Sequence, residues 1–176
     1  MVSGLARDPQ SYVWYTARAL LGVYPRLNYF LYQLNEEQYH PDLAKKFGLA
    51  SGLQEGDFQR ATPGLECLAH TNTTIHGMLM GSAADNRASA LVNESMVYRY
   101  SEEHLIDLRK HYGLDDKALQ FFTVHAVADQ EHTKMAAEVI AKHAITDYQQ
   151  QLVREAARHR VRFKIAKFDG IYDAYA

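Results

Sequence analysis

Proline punctuates this chain only at Pro9, Pro25, Pro41 and Pro63, and none follows Pro63. A strand-rich domain needs more turn punctuation than that. No segment sustains a two-residue alternation of Val, Ile and Thr, whereas apolar residues recur every three to four positions through most of the chain. The expected fold class is therefore all-α, a helical bundle in one domain spanning residues 1–176. The rhythm predicts helices over Ser11–Tyr39, with Pro25 as a break or kink, and over Pro41–Phe47, closed by Gly48. Leu49–Ala61 reads as a loop. Further helices are expected over Pro63–Gly81, Asp85–Tyr100, Ser101–Tyr112 with Ser101 as cap and Gly113 as stop, and Asp116–His143 capped by Asp115. Thr146 or Asp147 should cap a last helix to Phe168, ended by Gly170.

Composition narrows the function classes. Lys plus Arg is 19 and Asp plus Glu is 21, a net charge of −2, which argues against a general nucleic-acid binder. The single cysteine, Cys67, cannot form an intrachain disulfide and fits a reducing compartment. No apolar run is long enough to cross a bilayer, and the first ten residues lack a secretory pattern. The expectation is a cytoplasmic protein without a membrane partner.

The chemistry is carried by His125, Asp129 and His132. Their i, i+4, i+7 spacing places them on one helix face, amid Phe121, Phe122, Ala128, Ala136, Val139 and Ile140. Two imidazoles and a carboxylate inside an apolar stripe are costly to bury without partners, and a metal ion would satisfy all three. Glu94 is flanked on its own face by Ala90, Leu91, Val97 and Tyr98, and so also points inward. Glu37-x-x-His40 supplies the i, i+3 pair used by carboxylate-bridged two-metal bundles. The candidate metal ligands are therefore Glu37, His40, Glu94, His125, Asp129 and His132, with Glu36 as the fallback for Glu37. The lack of a thiolate disfavours structural zinc and iron–sulfur centres, while mixed carboxylate and imidazole ligation suits iron or manganese. Two divalent ions among three carboxylates leave one positive charge, which favours an anionic ligand. Arg87, two turns before Glu94, is a candidate substrate-binding residue.

The bland readings differ by site. His104, Asp107 and His111 share a helix face but lack an apolar border, so they read as a solvated face. Arg154, Arg158, Arg160, Arg162, Lys164 and Lys167 read as the solvated surface of the last helix, with steering of an anionic substrate or docking of an acidic carrier protein as the functional alternative. Tyr12, Tyr15, Tyr24, Tyr29, Tyr32 and Tyr39 read as core and interface packing. Cys67 reads as a small buried residue.

Three stretches resemble the haem-oxygenase-like diiron oxidases and oxygenases: YFLYQLNEEQYHPDLAKKFGL, then Asn93-Glu94-Ser95, then YGLDDKALQFFTVHAVADQEH, with KFDGIY near the end. The nearest branches are the CADD-type proteins and the undecene-forming fatty-acid decarboxylase, and the thiaminase and pyrroloquinoline-quinone synthase families share the bundle. The resemblance implies a haem-oxygenase-like helical bundle, here lacking part of the N-terminal helical region. It also implies two Fe2+ ions per chain held by the six residues above; manganese fits on the ligand chemistry alone. Many members carry the first glutamate seven residues before the histidine. Gln33 stands there in this chain, and Glu37 fits the decarboxylase-like Glu-x-x-His arrangement instead. The implied activity is oxygen-dependent oxidation of a small organic acid or amine, by decarboxylation, C–C cleavage, desaturation or N-oxygenation. The implied partners are a small-molecule substrate and O2, in a homodimer. The rival expectations are a cofactor-free enzyme of the thiaminase or quinone-synthase kind, and a non-enzymatic scaffold with a degenerate site. A haem oxygenase proper would leave Glu94 and Asp129 without a role.

Overall fold

The computed structural model describes residues 34–176, and the expectations for the helix over Ser11–Tyr39, for Gln33 and for the tyrosines before Tyr39 fall wholly or largely outside them. Residues 34–37 are helical and are followed by a two-residue turn. Six helices then run in order: α1 (His40–Ala50), α2 (Glu55–Arg60), α3 (Leu65–Met80), α4 (Ala83–Tyr112), α5 (Gln120–His143) and α6 (Asp147–Tyr175). No strand occurs among the described residues, as the proline distribution and the helical rhythm imply.

Local chemistry sets the helix ends. Pro41 opens α1, where its missing N–H costs nothing. Ser82 accepts from the Asp85 N–H while Asp85 accepts from the Ser82 N–H, a reciprocal cap that starts α4. Thr146 and Gln149 do the same for α6. Gly113 ends α4 at φ 65°, a left-handed conformation that only glycine adopts at little cost. Asp115 does act as a cap: it accepts from the Ala118 N–H at 2.8 Å, but it holds a turn over 116–119, and α5 starts only at Gln120.

Other boundaries depart from the sequence expectation: Gly48 does not close α1, which runs on to Ala50, and α4 starts at Ala83 rather than Asp85. The two helices expected on either side of Ser101 are one 30-residue helix, α4, with Ser101 fully buried inside it. A serine in a helix interior costs only about half a kcal/mol, too little to interrupt a helix packed along its length. The expected loop Leu49–Ala61 contains α2, started by a reciprocal cap between Gln54 and Asp57. Gly170 does not end α6, which continues to Tyr175. A Cβ at Gly170 would lie 2.6 Å from Glu66 Oε2, so glycine there admits the α3 side chain.

α4 is the central helix. It packs most extensively on α5, then on α6; α6 also packs on α3, and α1 on α5. Small side chains let the helices approach: Ala84 and Ala88 on α4 and Ala136 on α5 are buried, with Leu119, Phe122 and Val139 filling the core around them. The contact of α4 with α5 and the approach of α1 to α5 converge on one set of polar residues.

Candidate metal centre

Three elements supply the centre. The turn at residues 38–39 puts Glu37 one i, i+3 step before His40, and His40 Nδ1 donates to Glu37 Oε2 at 2.8 Å. α4 contributes Glu94, and α5 contributes His125, Asp129 and His132. All four are buried, as is His40. Glu37, Glu94 and His132 each offer a ligand atom, and these atoms lie within 4.8 Å of one another. The second ring nitrogen pattern is equally informative. His132 Nδ1 is 3.6 Å from Asp129 Oδ1 and 3.9 Å from Glu37 Oε1, while His132 Nε2 donates to Glu36 Oε2 at 2.8 Å. Both Glu36 and Glu37 thus reach the centre, from opposite sides of one imidazole.

His125 sits one helical turn before Asp129 and two before His132 on α5. Its Nδ1–H donates to the Phe121 carbonyl at 2.7 Å, which fixes the tautomer and leaves Nε2 as the lone-pair nitrogen. Its ring packs on Phe121 and His40, with centroids 4.2 and 4.4 Å away. His40 and His125 therefore stand as a tilted pair, their ring planes 54° apart, beside the Glu37–Glu94–His132 group. Arg87 is buried on α4; it donates to Asn86 Oδ1 at 2.6 Å, and its charge reaches Glu94.

The electrostatics are those of an acid-rich cavity. Burial pushes the Glu94 carboxyl up to about 7 against the pull of His132 and Arg87, and Asp129 and Glu37 push it the same way. His132 moves oppositely. Burial would lower it, but Asp129, Glu36, Glu94 and Glu37 together hold it up at about 9. Glu37 also starts from a burial penalty and is brought below the usual carboxylate range by His40, His132 and His125. Asp129 Oδ2 is buried and has no hydrogen-bond partner. Four carboxylates and three imidazoles with an orphaned buried oxygen form a donor set that suits a hard or borderline cation of the iron class.

Residues 13–164 match the sequence pattern of a protein family described as iron-containing redox enzyme. The chain belongs to that family. No curated protein matches it. Membership supports the haem-oxygenase-like bundle and a general iron-dependent redox role. No described helix of this family member is long and apolar enough to cross a membrane.

The remaining candidates separate cleanly. His104, Asp107 and His111 lie exposed on α4, as a solvated face should. Cys67 is half-buried on α3. The expectation for α6 needs correction. Arg154, Arg158 and Arg162 are exposed, but Arg160 and Lys164 are buried and Lys167 is half-buried. Lys164 is the residue that sequence reasoning missed. Its Nζ donates to Asn93 Oδ1 at 2.9 Å and to the Asn93 carbonyl at 3.3 Å, one residue from Glu94, and it lies 5.1 Å over the Tyr100 ring.

Proposed function

We propose that this protein is an oxygen-dependent iron oxidase or oxygenase that oxidises a small organic acid or amine, with Glu37, His40, Glu94, His125, Asp129 and His132 holding two irons. The observation that carries the reading is the buried Glu37–Glu94–His132 group, whose ligand atoms fall within 4.8 Å of one another on three separate elements. An acid cluster of this density is destabilising without a cation, because like carboxylates in low dielectric repel strongly. Iron supplies redox chemistry and open coordination positions for dioxygen and substrate when bound.

The chain's own residues set up that chemistry. The Phe121 carbonyl holds the His125 ring through Nδ1–H, and Glu37 holds the His40 ring through Nδ1, so each imidazole keeps Nε2 for coordination. Arg87 lies close enough to favour the ionised form of Glu94, which is the ligating form. Tyr100, pushed up to about 12 by burial and by Asp129, stays a protonated phenol at neutral pH. Glu36 takes the Nε2 proton of His132 as a hydrogen-bond acceptor and so orients that ring toward Glu37 and Asp129 with Nδ1.

The test is anaerobic loading of the full chain with ferrous iron, a count of iron per chain, and then exposure to air while the visible spectrum is recorded. About two irons per chain, with oxygen-dependent spectral change, is the expected result. Manganese is the competing ion in the same titration. No iron uptake and an unchanged melting temperature would overturn the assignment in favour of a cofactor-free enzyme or a scaffold.

A further inference from the structure

The outward face of α6 carries its charges in two blocks. Arg158 and Arg162 precede Ile165, and Asp169 and Asp173 follow it. At about 100° per residue the four fall within about 60° of one another around the helix axis, opposite the buried Arg160 and Lys164, and all four are exposed. Like charges four residues apart on one helix repel, so each block is unfavourable within a single chain. Among the described residues, none of the four enters an ion pair.

An apolar stripe runs beside the charges. Ile165, Phe168, Tyr172 and Tyr175 recur at i, i+3, i+7 and i+10, the spacing of a helix that meets another along its length. Phe168 sets its ring edge against Tyr100 of α4, yet the four stay 50, 46, 71 and 88% exposed. On two copies of the chain these side chains offer on the order of 1,000 Å², the least that a specific interface needs, and the arginine stems add to it.

The charge pattern selects the occupant. Residues 9–33 carry Arg18 and Arg26 and no acid, so that segment has nothing to set against Arg158 and Arg162. A second α6 running antiparallel answers all four charges. A twofold axis between Ile165 and Ala166 brings Arg162 level with Asp169 of the second copy and Arg158 level with its Asp173. Each pairing occurs twice, because such a contact is isologous. The same flank of both helices meets in this arrangement, so charged stripe faces charged stripe while the apolar stripes pack. A parallel pair would set arginine against arginine. We propose that α6 is the docking surface for a second copy of this chain, paired antiparallel through Arg158, Arg162, Asp169 and Asp173. α6 supplies none of the six candidate metal ligands, so the pairing stands apart from the reading of the metal centre.

The test is sedimentation velocity of the full chain over a range of concentrations. Wild type is expected to sediment as a dimer of 20.1 kDa chains. Arg162→Asp and Asp169→Arg each create like-charge contacts at two places, and each is expected to weaken the dimer at least tenfold, with helix content and iron per chain unchanged. Mixing the two variants separates this geometry from any other. In the mixed pair each altered residue meets an opposite charge, so the dimer is expected to return. Should either variant not fold, Arg158→Asp and Asp173→Arg make the same exchange one turn further out. A chain that is monomeric at every concentration overturns the proposal and leaves the face to another segment or to solvent. A dimer indifferent to the variants forms through another surface and overturns it as well. Loss in each variant without recovery on mixing overturns the antiparallel pairing.

Discussion

Lys164→Met is expected to stabilise the metal-free, ligand-free protein below neutral pH, and to do so less as pH rises. Folding takes the ammonium from water into a wedge shared with Arg160 and Lys167. Burial and those two charges bring its pKa from 10.5 down to about 7, with Asp129 pulling the other way. Below pH 7 the lysine is protonated in both folded and unfolded chains, and the folded state bears the whole cost, roughly 5 kcal/mol. Between about 7 and 10.5 the unfolded chain binds one more proton than the folded one. Stability of the wild type therefore climbs with pH by up to about 1.4 kcal/mol per pH unit across that window. Methionine has a similar length and carries no charge. Its introduction removes the penalty but also removes the two hydrogen bonds to Asn93, together about 2–3 kcal/mol. The net expectation is a gain of about 2 kcal/mol at pH 6, which shrinks to zero near pH 8.5 and reverses above it. Urea unfolding followed by far-ultraviolet circular dichroism at pH 6 and pH 9.5 measures both values. Equal destabilisation of the variant at the two pH values would refute the reasoning, because it would mean that Lys164 is paired in the folded state rather than crowded by like charge.

Glu94→Gln removes one acid from the cluster; the metal-free protein should melt no lower than wild type, and iron bound per chain should fall, as read by metal analysis of the loaded sample. His125→Ala should lose iron as well, at a stability cost of about 1–2 kcal/mol for the lost packing on Phe121 and His40, measured by urea unfolding. A cost of several kcal/mol with unchanged iron would instead make His125 a structural residue. Gly113→Ala forces a Cβ into the left-handed region at φ 65° and should cost about 1–2 kcal/mol in the same assay without changing iron content.

How much of the fold was legible depends on how local its signals are. The cap at Thr146 and the glycine stop at Gly113 depend on side chains three residues apart or on one backbone angle, and sequence carries such information directly. Ser101 and Gly170 carry similar local signals and still lie inside helices, because α4 and α6 gain more from continuous packing than a serine or glycine costs. The short helix α2 was hidden for the opposite reason. Glutamine at its start is an uncommon cap, and Gly56 lies within its first turn.

The acid cluster draws on polar residues that interrupt an apolar stripe on α5, a conspicuous signal; the structure brings His132, with Asp129 beside it, to Glu37 and Glu94, while His125 lies against His40 and Phe121. The same test applied to α6 would have found Lys164, which lies on a face with Ala157 and Val161, both half-buried. It was masked by Arg154, Arg158 and Arg162, whose exposure is the usual fate of a basic helix. Which cations of such a helix are buried is decided by the helices that cover it, and that is tertiary information. On α4 the consecutive residues Asn93 and Glu94 point about 100° apart around the helix axis, one to Lys164 on α6 and the other to the acid cluster. A single helix thereby stands between the acid cluster and the buried ammonium of α6.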